Sequence, residues 1–355
     1  MAGQRALIVN FNGLGNGILF LPILKRLEEV NSNFYYFHIN NPVLEIPEFV
    51  DWFRLKNLLG LVPPEWRRFN PGDWSAIKDF ISSNQVSVIV NLRNEGPEYD
   101  HGYFAFKREM DASSLKFWEL DHRALYSRVV PENLIHDSLE TFRSHGLDLN
   151  QFNRLWLKDF MASRGLRSSR ADSIGLFTAV SQKVKRWPIE CWTELGERIL
   201  KTTRHRLVVF AGISSEEREF ASEVIARLQR KSSEDRSVLV ITETLIDLCY
   251  WLNDLRLVIS NDTVCVHIAA ALDLPAVGLY FSTDSRIWGG LNDRALPIQS
   301  RFGLACPAMK SNAGNCLFYY GECPAPCKQD ITPERVFSGV QAALKSNLEK
   351  NGDGE

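Results

Sequence analysis

Short apolar runs of strand length alternate with longer stretches of helical periodicity along the whole chain. Residues 5–11, RALIVNF, are apolar and extended in character. A glycine-rich turn follows at 12–17, and a helical pattern runs over 18–30. Further strands are predicted at 34–39 and 86–92. The second half repeats the rhythm at 174–180, 206–211, 238–241, 257–260 and 276–281, with helical stretches between them. Runs rich in Val, Ile and Phe without strict alternation suit strands buried on both faces. Strand–helix alternation of this kind predicts an α/β protein with parallel sheets covered on both sides. Residues 161–173, MASRGLRSSRADS, are polar and lack an apolar period. They are predicted to link two doubly wound domains, residues 1–165 and 172–345.

The stretch 257–283, LVISNDTVCVHIAAALDLPAVGLYFST, reads as strand, sharp turn, helix and strand. The turn puts Asp262 and Thr263 at a helix start, where unpaired backbone N–H groups and the helix dipole favour an anion such as phosphate. A plainer reading stands beside it: Asp262 is an ordinary N-cap accepting from the N–H of Cys265, and His267 is a satisfied, half-buried histidine. In open parallel sheets, ligands sit at the carboxyl ends of strands. That rule points to the loops holding Ser181 and Lys185, 212–217, Asp262 and Thr263, and Thr283 and Asp284. In the first half it points to 12–17 and 93–100.

The pattern D-T-x-x-x-H on Asp262, Thr263 and His267, followed by a small-residue helix, Pro275, a strand and the Thr283–Asp284 turn, resembles glycosyltransferase family 9. This is the heptosyltransferase family, which includes the ADP-heptose:lipopolysaccharide transferases. Val264 stands where the family has glycine. Residues 181–188, SQKVKRWP, resemble the family segment ending K-x-W-P, with Lys185, Trp187 and Pro188 in register. The resemblance implies that Lys185 offsets charge on a departing nucleoside diphosphate, and that Ser181 is a hydroxyl near the phosphates. It also implies that Glu216 reads the nucleoside. An exposed loop lysine and a first-turn acid beside a Ser214–Glu217 capping box are the plainer readings.

The opening segment 13–24, GLGNGILFLPIL, resembles the family's G-x-x-G-D-x-L-x-x-x-P motif and brings in Gly15 and Gly17. Asn16 occupies the position of the family's proposed catalytic Asp, and an amide cannot take the acceptor's proton at neutral pH. A dinucleotide site is disfavoured here. The spacing is wrong for G-x-G-x-x-G, and the next strand leads into Asn40 and Asn41 where a ribose-binding acid belongs. Arg93, Asn94, Glu95, Glu98 and Asp100 follow the strand at 86–92. They read either as a solvated loop or as acceptor-facing groups, with Glu95 the first substitute base.

The family resemblance implies the GT-B architecture, two Rossmann-like domains facing each other across a cleft. The first would bind the acceptor and the second the nucleotide sugar. The implied activity is inverting, metal-independent transfer of a sugar, heptose by analogy, from an ADP-activated donor to an acceptor hydroxyl. A glycan, a lipid-linked molecule or a protein can be the acceptor. Asn16 and Val264 motivate a second reading, a non-catalytic nucleotide-sugar binder or regulatory subunit.

Composition narrows the field further. A net charge of −2 argues against a nucleic-acid partner recognised through bulk charge. No apolar run reaches the ~18 residues of a membrane span, so at most peripheral membrane contact is expected. Met1 leads almost directly into a strand, so no signal peptide is expected and a reduced, cytoplasmic chain is. Of seven cysteines, Cys306, Cys316, Cys323 and Cys327 cluster as C-x9-C-x6-C-x3-C. That is not a standard zinc ribbon. A structural zinc or iron, free thiols and a local disulfide are all open.

Overall fold

The computed structural model describes residues 5–10, 14–30, 33–38, 43, 46–55, 75–94, 103–110, 115–121, 133–166, 172–180, 182–231, 236–307, 316 and 326–352. The chain divides into two compact units, Met1–Asn153 and Arg154–Glu355. The division falls before the polar stretch 161–173. The helix Trp156–Ser163 carries Trp156, Leu157, Phe160 and Met161, all buried, and packs on helices of the second unit. Its apolar face ties part of that stretch to the second unit.

The first unit holds strands β1 (Arg5–Asn10), β2 (Phe34–His38), β3 (Val86–Asn94) and β4 (Lys116–Asp121). They form one parallel sheet in the order β2-β1-β3-β4. Helices α1 (Leu14–Val30), α2 (Pro47–Phe53), α3 (Ser75–Ser83), α4 (Tyr103–Met110) and α5 (Leu134–Ser144) accompany it. Ile77, Ile81, Val86, Ile89 and Phe106 build a core cluster between sheet and helices. Two sequence expectations change here. Residues 14–17 are the first turn of α1 rather than a tight turn, so Gly15 and Gly17 are helical and need no left-handed backbone. Likewise β3 runs through Arg93 and Asn94, which were expected in the loop beyond it. The short β4, KFWELD, is half polar and gave no apolar run to detect.

The second unit opens with α6 (Trp156–Ser163). It continues with β5 (Ser173–Phe177), α7 (Ile189–Thr202), β6 (Arg206–Ala211), α8 (Ser215–Lys231), β7 (Ser237–Ile241), α9 (Leu245–Asn253) and β8 (Leu257–Asn261). Then come α10 (Val264–Ala271), β9 (Ala276–Tyr280), α11 (Ser285–Trp288), β10 (Ala295–Gln299), α12 (Arg301–Ala305) and α13 (Pro333–Gly352). The sheet is parallel throughout, in the order β10-β9-β8-β5-β6-β7. The chain winds outward from β5 through β6 and β7, then returns to the other side of β5 and winds outward through β8, β9 and β10. The order therefore reverses between β5 and β8, which is where such sheets open a crevice for ligand.

Strands β8 and β9 are buried at every position, as expected for central strands covered on both faces. Trp192, Leu195 and Ile199 form the buried face of α7, as their spacing predicts. They join Leu176, Leu207, Val209, Ile259, Val277 and Leu279 in the larger core. Strand β10 contains Pro297, which has no N–H to donate, and it sits at the sheet edge with β9 as its partner. That proline is why the sequence did not read as a strand there. Among the described residues, no helix is long and apolar enough to cross a membrane.

Candidate active site

The loops that leave β5 and β8 meet at the switch point of the second sheet. After β5 the chain runs through Thr178 and then makes a single 3-10 turn, Lys183–Lys185. Val184 and Trp187 are buried on either side of Lys185. Trp187 is fully enclosed, stacks edge-on against Trp192 with ring centroids 5.1 Å apart, and donates its indole N–H to the Ile331 carbonyl at 2.9 Å. This anchor fixes the turn and with it the base of the lysine.

Asn261 ties the two loops together. Its side-chain oxygen accepts from the Trp187 N–H at 3.2 Å, and its amide donates to the Thr178 carbonyl at 3.4 Å. Asn261 directly follows the apolar run 257–260 and is the last residue of β8. The signal available was an amide side chain at the end of an otherwise apolar, fully buried run, where it must find partners.

The Lys185 ammonium lies 2.7 Å from Asp262 Oδ2, with the two side chains 14% and 7% exposed. Lys185 is therefore no exposed loop lysine. The Thr283 hydroxyl donates to the same carboxylate oxygen at 2.7 Å. Gln299 holds the Thr283 turn by donating to the carbonyls of Tyr280 and Thr283, each at 3.0 Å. So β10, the edge strand, fixes a hydroxyl at the centre of the site.

The expected N-cap changes. Thr263, not Asp262, caps α10, accepting from the Cys265 N–H at 3.4 Å. Its hydroxyl also lies 3.2 Å from Ser260 Oγ. Asp262 is thereby free of capping and turns its carboxylate to Lys185. Val264 is the first residue of α10 and only partly buried, so its wider side chain stands at the helix start.

His267 is buried, not half-buried, and its Nδ1 has no hydrogen-bond partner among the described residues. Burial above all lowers its pKa to about 4; the Lys185 charge lowers it further and the Asp262 charge opposes. The imidazole is neutral at physiological pH. Tyr280, also buried, has its phenol pushed up by burial and by the Asp262 charge, so it stays protonated. Cys265 is an inert thiol, pushed up to about 12 by burial.

Glu216 sits in the first turn of α8, exposed, 2.7 Å from an Arg186 guanidinium nitrogen and 3.4 Å from the Lys183 ammonium. The hydrogen bond and charge of Arg186 hold its carboxyl below the usual range. Ser214 Oγ accepts from the Glu217 N–H at 3.2 Å, which is the forward half of the expected capping box.

In the first unit, Asn16 lies in the opening turn of α1 directly after β1, and Arg93 lies at the end of β3. Strands β1 and β3 are neighbours, and the order of that sheet reverses between them. Ser181, Glu95, Glu98, Asp100 and Cys323 lie outside the described residues. Cys306, the C-cap of α12, and Cys327, in the 3-10 turn Pro326–Lys328, are half-buried, and those two elements pack together, while Cys316 is buried. Among the described residues, no three groups of His, Cys, Asp or Glu converge to hold a metal.

Residues 123–316 match the model of glycosyltransferase family 9 (heptosyltransferase). The chain belongs to glycosyltransferase family 9. Over 188 residues it is 26% identical to lipopolysaccharide heptosyltransferase 2 of Salmonella typhimurium, covering 53% of this chain and 51% of that protein. The chain thus matches about half the length of this curated relative.

Solved structures of the family share its fold at low identity. A glycosyltransferase family 9 protein from Veillonella parvula aligns with a TM-score of 0.66 at 17% identity, over 98% of this chain and 99% of that one. E. coli heptosyltransferase WaaC with ADP aligns at 0.59 and 15% identity, over 96% and 100%. E. coli ADP-heptose LPS heptosyltransferase II aligns at 0.57 and 17%, over 97% and 100%. The α/β fold with two parallel doubly wound sheets is the one these GT-B enzymes have.

Proposed function

We propose that this family 9 protein transfers a sugar, heptose by analogy, from an ADP-activated donor to an acceptor hydroxyl, with inversion and without a catalytic metal. The observation that carries the reading is the Lys185 ammonium fixed beside the start of α10, at the switch point of the second sheet. Backbone N–H groups at that helix start suit a diphosphate. Lys185 adds a positive charge where negative charge grows as the nucleotide leaves. Glu216, on its Arg186 and Lys183 pairs, is suited to the nucleoside hydroxyls. Thr263 and Thr283 offer hydroxyl oxygens near the phosphates, and neutral His267 packs behind the pair without adding charge.

The first unit would bring the acceptor. The acceptor oxygen attacks the anomeric carbon, the bond to the diphosphate oxygen breaks, and the acceptor's proton passes to a carboxylate, for which Glu95 is our candidate. Asn16 would orient the acceptor by hydrogen bonds. WaaC was solved with ADP and with ADP-2-deoxy-2-fluoro heptose, which supports the choice of nucleotide.

The test is calorimetry of ADP binding with EDTA present. Binding in micromolar range without divalent metal supports the reading. Binding lost in EDTA and restored by magnesium would remove the metal-independent mechanism. A structural zinc or iron on Cys306, Cys316, Cys323 and Cys327 is a separate proposal. Elemental analysis of tag-free protein decides it: about one metal per chain sustains it, and metal-free protein that folds normally ends it.

A further inference from the structure

We propose that Asp262 is a resident counter-anion that competes with the nucleotide diphosphate for Lys185 and so drives product release. The inference rests on the donor-site reading above and adds a role for a residue that local structure does not explain.

Asp262 is not the cap of α10, because Thr263 fills that position. Its carboxylate instead faces Lys185 at 2.7 Å, with both side chains largely shielded from water. Shielding strengthens the attraction and blunts salt screening.

The carboxylate is held in place: the Asp262 N–H donates to the Leu279 carbonyl at 3.0 Å, and the Thr283 hydroxyl donates to Oδ2 at 2.7 Å. Thr283 is itself held through Gln299. The Lys185 ammonium has three N–H donors, so it can face Asp262 and a phosphate together. The carboxylate and a bound phosphate therefore draw on the same positive charge.

Charge changes during transfer give this pairing a direction. When the anomeric C–O bond breaks, both electrons stay on the terminal phosphate oxygen, so the product nucleotide carries more negative charge than the donor. A bare lysine would hold the product more tightly than the donor and slow turnover. A fixed carboxylate beside it repels the more anionic product more strongly and recovers the ammonium as the product leaves.

The experiment is calorimetry and stopped-flow dissociation of ADP and of ADP-glucose, on wild type and Asp262→Asn, with thermal melts to confirm folding. Removing the carboxylate should tighten ADP by about tenfold, mainly through slower dissociation, and tighten ADP-glucose less. A merely structural residue would weaken binding when replaced, not strengthen it. Asp262→Ser provides a second charge-removing variant if Asp262→Asn does not fold. ADP affinity that is unchanged or weaker in a folded variant overturns this inference alone. Failure of both variants to fold makes the pair a structural element and also overturns it. Absence of ADP binding to wild type and variants alike would remove the donor-site reading, and this one with it.

Discussion

The two sheets reverse their strand order in the same way, yet their switch points are built differently. In the second unit the reversal between β5 and β8 brings together Lys185, Asp262 and Thr283, cross-linked by Asn261 and seated on Trp187. In the first unit the reversal between β1 and β3 brings the Asn16 turn beside the end of β3, with an amide where the resemblance implies a carboxylate. The family match follows the same division. It begins at residue 123, so it leaves β1 to β4 outside and includes every strand of the second sheet.

The comparison breaks first at Lys185. Lys185→Ala should lower kcat by about 10²- to 10³-fold while weakening binding of the ADP-sugar donor far less, because charge on the diphosphate grows in the transition state. An effect confined to KM would reduce Lys185 to a binding contact, and the two switch points would then differ less than proposed.

Glu95 tests the other side. Glu95→Gln should leave ADP affinity intact and cut transfer by about 10²-fold, the scale of losing a general base. Wild-type transfer rates in this variant would move the search to Glu98 or Asp100. Asn16→Asp should be tolerated, since it restores the residue the family motif carries. Tight ADP binding with no transfer to any acceptor would favour the non-catalytic reading.

The smallest effect concerns stability. Well above pH 6.5, His267 is neutral in folded and unfolded chains alike and contributes no pH dependence. Its folded pKa is lowered to about 4. As pH falls from 6.5 toward 4, the unfolded chain takes up a proton that the folded chain refuses, so stability is lost across that window. The loss amounts to roughly 3 kcal/mol for so buried a group. Urea unfolding at pH 7 and pH 4.5 should show a shallower decline in His267→Gln than in wild type. Equal declines would mean that other groups set the acid sensitivity of the second unit.

Much of the fold was legible because it is a matter of local pattern. Apolar runs at 206–211, 257–260 and 276–281 are long enough and apolar enough to be central strands, and they are. The face of α7 follows from the spacing of Trp192, Leu195 and Ile199. β4 and β10 were not legible. An edge or half-covered strand needs fewer apolar residues and tolerates a proline, so its sequence resembles a loop.

The site divides along the same line. The sequence by itself determined that a helix begins near Asp262 after a buried strand, and that Lys185 lies beside a Trp-Pro anchor. Only the tertiary structure decided what those residues do to one another. Lys185 and Asp262 are 77 positions apart, and no local pattern says that their loops share a crevice. Their pairing depends on β5 and β8 being neighbours, which is a property of strand order. The choice between Asp262 and Thr263 as cap was settled in the same way. Either side chain suits a helix start, but only one had an ammonium waiting across the sheet. His267 shows the rule once more: its sequence position allowed a half-exposed residue, and the enclosure that strips its proton comes from elements packed around α10.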